Sequence, residues 1–272
     1  MKRLPRVLFS LTTFSALLSG PALAATGVSL DVSRVELSVQ PGQSLNHTVT
    51  VQNPGKQGEA AMTVSSYTSD FVLPTSGEAQ YVSGGSLKNS LGRWLQVTPT
   101  TFRLGAGEKQ QVRYTINVPA GTTPGLYWGV LFFKSDSPDA ASVAGSQSSV
   151  TMNYNVDVGQ IIYVQVGQPH FDAKLTAVQS TYSAGGLNVS ATVKNAGTTL
   201  IRAAGRAVVV DASGKTMATV DLGESVALPG YTRSFTGSAA QSLPAGQYQV
   251  LIVLKYGQGK LFTGQTALVV KP

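Results

Sequence analysis

Short runs of alternating apolar and polar residues, cut repeatedly by Gly, Pro, Asn and Ser, fill this chain from residue 28 to its end. Val28 to Val39, His47 to Val51, Met62 to Tyr67, Gln110 to Val118 and Tyr127 to Phe133 all carry the pattern. Successive side chains of an extended strand point to opposite faces, so a period of two builds strands, whereas a helix needs apolar residues about every 3.6 positions. No segment sustains the helical period. Pro41-Gly42, Asn53-Pro54-Gly55, Pro119-Ala-Gly121 and Pro124-Gly125 announce turns. The predicted fold class is all-β, with strands at sandwich-like spacing.

Two phrases recur at a separation of domain length. Thr50-Val-Gln-Asn-Pro-Gly55 is echoed by Thr192-Val-Lys-Asn-Ala-Gly197, and Pro119-Ala-Gly121 with Tyr127 by Pro244-Ala-Gly246-Gln-Tyr248. Repeats this far apart imply whole domains of similar topology. Each half is long enough to bury its own core. In each, Val-x-Asn-x-Gly is expected to end a strand in a turn that tolerates positive φ. Gly167-Gln168-Pro169 marks the boundary, because Pro cannot donate to a ladder and holds its predecessor extended. The expected plan is two immunoglobulin-like β-sandwiches in tandem, residues 25–167 and 168–272, behind a cleaved signal peptide at 1–24.

That leader rests on Lys2, Arg3 and Arg6, the apolar run Val7 to Leu18, and the small-x-small site Ala22-Leu23-Ala24. The apolar run is too short to span a bilayer comfortably. An exported protein, in the periplasm or an equivalent space and without stable membrane insertion, is expected. The net charge is +7, of which the three leader cations account for nearly half, and no dense basic run follows. Nucleic acid binding therefore has nothing to stand on.

The chain has no cysteine and two histidines, His47 and His170. Metal clusters and Cys/His nucleophiles lack ligands and partners. Neither histidine sits in a triad-like pattern, and both read as surface imidazoles. Gly105-Ala-Gly107 precedes a strand without a phosphate-cradling helix. The expectation is a protein that is not an enzyme and takes no cofactor.

Val150, Met152, Tyr154, Val156 and Val158 share one parity, opposed by Thr151, Asn153, Asn155 and Asp157. Ser135 to Ser149, just before, is small and polar. Beyond Gly159 both parities turn apolar, which reads as burial on two faces. One reading is an ordinary sandwich strand after a long loop. The other is a strand that lends its apolar row to a partner.

Four phrases, in order, resemble the N-terminal domain of periplasmic pilus-assembly chaperones of the PapD-like kind. They are Val28-Ser-Leu-Asp-Val-Ser-Arg34-Val35, Thr50-Val-Gln-Asn53, Leu95 to Leu104 with Gln110-Gln-Val-Arg113, and Pro124-Gly-Leu-Tyr-Trp128. The second half matches only as a generic immunoglobulin-like sandwich. The resemblance implies an exported surface or pilin-like subunit as partner, with an outer-membrane usher as a second. It also implies strand donation by Val150, Met152, Tyr154, Val156 and Val158, and a client carboxylate held by two basic residues, one of them matched by Arg34. The second has no match, since no Lys or Arg occurs between Ser135 and Ala173. Arg34 has a second reading as a solvated strand residue. The alternative function is a non-catalytic structural or adhesive envelope module.

Overall fold

A computed structural model describes residues 27–136, 141–142, 151–152, 156–183, 185–257 and 259–272. The leader expected at 1–24 lies outside the described residues.

The first half contains β1 (Ser29–Leu30), β2 (Arg34–Val39), β3 (Ser44–Gln52), β4 (Met62–Val72), β5 (Gln80–Ser83), β6 (Leu95–Thr98), β7 (Thr101–Leu104), β8 (Lys109–Asn117), β9 (Gly125–Asp136), β10 (Ala141–Ser142), β11 (Thr151–Met152) and β12 (Asp157–Val166). One sheet runs β1-β3-β8-β6 and the facing sheet β2-β12-β9-β4-β5, with β7 also pairing β4. The second half contains β13 (Ala173–Ser183), β14 (Gly186–Asn195), β15 (Ile201–Val210), β16 (Thr216–Ala227), β17 (Thr232–Ala240), β18 (Gly246–Tyr256) and β19 (Lys260–Val270). Its sheets run β13-β14-β17 and β16-β15-β18-β19. The molecule is all-β, a two-domain β-sandwich.

Period-two patterning sorts the side chains as strand geometry demands. Val49 and Val51 of β3 and Val112, Tyr114 and Ile116 of β8 turn inward to meet Ile162, Val164 and Val166 of β12. Burying each aliphatic side chain stabilises the sandwich by roughly 1.5–3 kcal/mol. His47 is half-buried on the inward row of β3, its ring 5.4 Å from that of Tyr114, and not the surface imidazole the sequence suggests.

The repeated phrases build the same local structure twice. Asn53 and Asn195 are buried, and their side-chain oxygens accept from the N–H of Gly55 and Gly197 at 2.9 and 3.0 Å. The Asn53 amide donates to Leu104 O, and the Asn195 amide donates to Thr199 O and Ala227 O. These are Asx turns, side chains standing in for backbone. Neither glycine is needed for positive φ, and Gly197 is needed for room. Neither has φ in the left-handed region, and a Cβ on Gly197 would strike the backbone of His170 and Asp172. The tyrosine of each second phrase donates its hydroxyl to a carbonyl four residues upstream, Tyr127 to Thr123 at 3.0 Å and Tyr248 to Pro244 at 2.8 Å.

β9 and β12 are buried on both faces. The outer face carries Leu126, Trp128, Val130, Ile161 and Tyr163, which pack with Phe71 and with Leu200, Val226, Leu228 and Tyr231 of the second half. Main-chain bonds tie the halves together as well, Leu126 N–H to Thr198 O at 2.8 Å and Ser234 N–H to Thr75 O at 2.9 Å.

Candidate functional site

From Ile161 to Val166, β12 is hydrogen-bonded on both edges, antiparallel to β9 and parallel to β2. From Asp157 to Gln160 it pairs with β9 alone among the described residues. The reason lies upstream, where Val28 to Val39 is not the single run its sequence suggests. Asp31 donates its N–H to Thr50 O and accepts the N–H of Thr50 on its side chain at 3.0 Å, which steers Ser29–Leu30 onto β3 of the opposite sheet. Burial opposes the charge on Asp31, but the bonds from Thr50 outweigh it and hold its carboxyl below the usual range. β2 therefore joins β12 only at Arg34, opposite Ile161. Just before that point the buried Gln160 donates its side-chain amide to Val32 O at 3.0 Å.

The free stretch of β12 is where the apolar row leaves the core. Val158 is half-buried and packs against the first core, whereas Val156 is 38% exposed and lies beside Gly27. On the opposite face Asp157 accepts from the Tyr67 hydroxyl at 2.7 Å; burial first, then that bond, pushes Tyr67 up to about 12. Thr151–Met152 pairs with Ala141–Ser142 as a separate two-residue ladder, and β12 starts only at Asp157. Val150 and Tyr154 lie outside the described residues, as does the side chain of Met152.

The other candidate, Arg34, reaches a cleft between the two halves. This cleft has a volume of about 280 Å³, and its walls include Arg34, Phe71, Tyr81, Ile161, Tyr163 and Arg233. Arg34 is half-exposed and lies 3.7 Å from Glu36, a weak surface pair. The position on β12 beside it in register is Ile161, so an apolar side chain stands next to the matched cation.

Cations arrive instead from the second half, which sequence reasoning missed. Arg202 of β15 bonds Glu36 and, at 2.9 Å, Glu224. Burial works against its charge, and the two carboxylates outweigh burial and raise its pKa. Arg233 of β17 is partly buried and forms no ion pair among the described residues. Among the described residues its side chain makes long bonds, to Thr75 O at 3.4 Å and Ser225 Oγ at 3.3 Å, and burial lowers its pKa. Tyr163, on the cleft wall, is pushed up to about 12, chiefly by burial. No signal in the sequence brings Arg202 or Arg233 to Arg34, since only the angle between the halves does so.

Among the described residues no cluster of three or more His, Cys, Asp or Glu side chains is placed to hold a metal, and no helix is long and apolar enough to cross a membrane. No family profile and no curated protein matches the sequence. Solved structures do match. A class 5 fimbriae chaperone, CfaA, is 16% identical with a TM-score of 0.46, covering 90% of this chain and 100% of its own. The Escherichia coli chaperone DraB is 18% identical with a TM-score of 0.43, covering 88% and 95%. The Salmonella enterica SafA pilin in complex with the SafB chaperone matches at 14% identity and a TM-score of 0.45, covering 92% and 99%. The two-domain chain is thus similar, over about nine tenths of its length, to chaperones that include those of fimbriae and pilins.

Proposed function

We propose that this chain is an exported, periplasmic, chaperone-like protein that binds a surface or pilin-like subunit and assists its assembly by strand donation. It acts without catalysis or cofactor, and an outer-membrane usher is its second partner. The leader is residues 1–24, the donor domain 25–167 and the second domain 168–272. The observation that carries the reading is the edge of β12 at Asp157–Gln160, which no described strand pairs and along which an apolar row passes from core to surface. An unpaired edge is a template for a further strand, with main-chain bonds supplying register and alternate side chains supplying specificity.

Val150, Met152, Tyr154, Val156 and Val158 are the proposed donor residues, with Val158 rooted in its own core. β2 occupies the edge from Ile161 onward, so a strand added along Asp157–Gln160 and running parallel to β12 must end beside Arg34. Arg34 is the proposed anchor for its carboxylate, the planar guanidinium being suited to a bidentate pair. The alternative is a structural or adhesive envelope module. It is favoured by one observation, the apolar Ile161 where the resemblance implies a second cation near Arg34.

Coexpression with candidate exported surface subunits tests the reading. Native mass spectrometry should find a one-to-one complex that Val156→Lys abolishes. Because Val156 is exposed, the variant should keep the melting temperature of the parent. Undiminished complex with Val156→Lys would remove strand donation and leave the envelope module.

A further inference from the structure

We infer that Asp31 is the positioning residue of the open β12 edge: it turns Leu30 to Ser33 away towards the opposite sheet and so stops the chain's own continuation from closing the edge at Asp157–Gln160. The inference rests on the strand-donation reading for what the open edge is used for, but the competition for that edge stands on register and bonding alone.

β2 and β12 run parallel, with Arg34 opposite Ile161 and Val39 opposite Val166. Stepped back along both strands without a slip, this register sets Ser33 against Gln160, Val32 against Gly159, Asp31 against Val158 and Leu30 against Asp157. The segment just before β2 therefore matches the open stretch residue for residue. The bonding groups match too. Ile161 donates its N–H to Ser33 O at 2.9 Å. Groups on one edge of a strand recur every second residue, so the N–H and C=O of Gly159 and Asp157 face the same open side. A tethered segment meets such an edge at a far higher effective concentration than a separate chain does. Left to its backbone, β2 would begin at Leu30 and not at Arg34.

Polar ties turn the segment aside. The Asp31 N–H donates to Thr50 O at 3.1 Å, and its carboxylate accepts the Thr50 N–H at 3.0 Å. A second tie follows at once, the bond from the buried Gln160 side-chain amide to Val32 O at 3.0 Å. The side-chain oxygen of Gln160 is left without a partner among the described residues. A half-satisfied amide in a core is costly, and here it accompanies a bond that pins the crossover.

Parity adds a penalty against closure. Val35 and Leu37 of β2 pack inward against the first core, so in a continued β2 the side chain of Asp31 would point inward as well, beside Val158. An unpaired carboxylate at the margin of a core is strongly disfavoured. Asp31 thus acts twice, bonding Thr50 while the edge is open and fitting nowhere when it is closed. Val28 and Leu30 also hold β1 by apolar contact. Yet β1 pairs only Ser29 and Leu30 with β3, whereas the open edge offers four residues. Inward-pointing charges are a common means of keeping strangers off an edge strand. Here the charge keeps off the protein's own chain.

Amide hydrogen exchange and strand capture test this on the two-domain protein, the probe being a fluorescent peptide of alternating Val and Thr. Asp31→Val removes both polar effects. It should slow exchange of the Gly159 amide about tenfold, speed exchange of the Thr50 amide, and weaken peptide binding about tenfold. Asp31→Asn keeps a side-chain oxygen for the Thr50 N–H and should match the parent in all three readings, which loss of a surface charge alone does not predict. If the valine variant does not fold, Asp31→Ala decides by the same readings. Unchanged Gly159 exchange in a folded Asp31→Val or Asp31→Ala overturns the inference. So does peptide binding equal in parent and variant, which leaves strand donation standing. Slowed Gly159 exchange with no peptide bound by the parent upholds the role of Asp31 and removes strand donation as the use of the edge.

Discussion

β12 and β18 look alike in sequence and behave differently in the fold. Both are interior strands of their sheets, and both carry unbroken apolar runs, Ile161-Ile162-Tyr163-Val164 and Val250-Leu251-Ile252-Val253-Leu254. In β12 both faces are covered, one by the first sandwich core and the other by the interdomain cluster. In β18 Val250, Ile252 and Leu254 are buried, while Leu251 and Val253 are 36% and 41% exposed. An apolar outer row therefore permits a second layer without implying one. The second domain packs onto β12, and no described element packs onto the outer row of β18.

The comparison breaks most decisively at Tyr163, which is 4% exposed on the outer face of β12. Tyr163→Ala should cost about 3–5 kcal/mol by urea denaturation, because it empties an aromatic position in the interdomain cluster. Leu228 is the second domain's fully buried contribution to the same cluster. Leu228→Ala should cost about 2–5 kcal/mol and split one calorimetric transition into two as the halves uncouple. Asn195→Ala, which orphans the carbonyls of Thr199 and Ala227, should cost about 1–3 kcal/mol. Asn53→Ala should cost less, since its amide makes one bond, at 3.3 Å.

Alkaline pH offers a gentler probe. Folding raises Tyr163 from about 10 to about 12, so the folded state holds its proton more tightly than the unfolded chain. The stability this contributes is complete below pH 10 and is lost as pH rises from about 10 to 12. Tyr163→Phe should flatten the decline in melting temperature across that window. The smallest effect is expected at Val253→Asp, within about 0.5 kcal/mol, for want of any covering layer. A large loss there would mean that the outer row of β18 is covered after all.

Much of the architecture was legible because it is local. The period of two and the repeated phrases specify strands and turns through neighbours in the chain, and a turn follows each Asn, built by its side chain and not on positive φ. The filled alternation after Gly159 foretold burial on two faces. The sheet switch at Asp31 was not legible, because an acid within an apolar run does not say which strand its oxygen will meet. Nor was the cleft, where Arg34, Arg202 and Arg233 come from three strands of two domains. For the apolar row before Gly159, the parity of Val156 and Val158 was readable, but where core gives way to surface depends on where β2 departs.

The ties from Leu126 to Thr198 and from Ser234 to Thr75 are made wholly of main-chain atoms. Evolution edits side chains, and it can delete an amide hydrogen only by introducing proline. The geometry between the two sandwiches is thus carried in a form largely invisible to sequence drift. The exposed charges around the cleft can change while these main-chain ties persist.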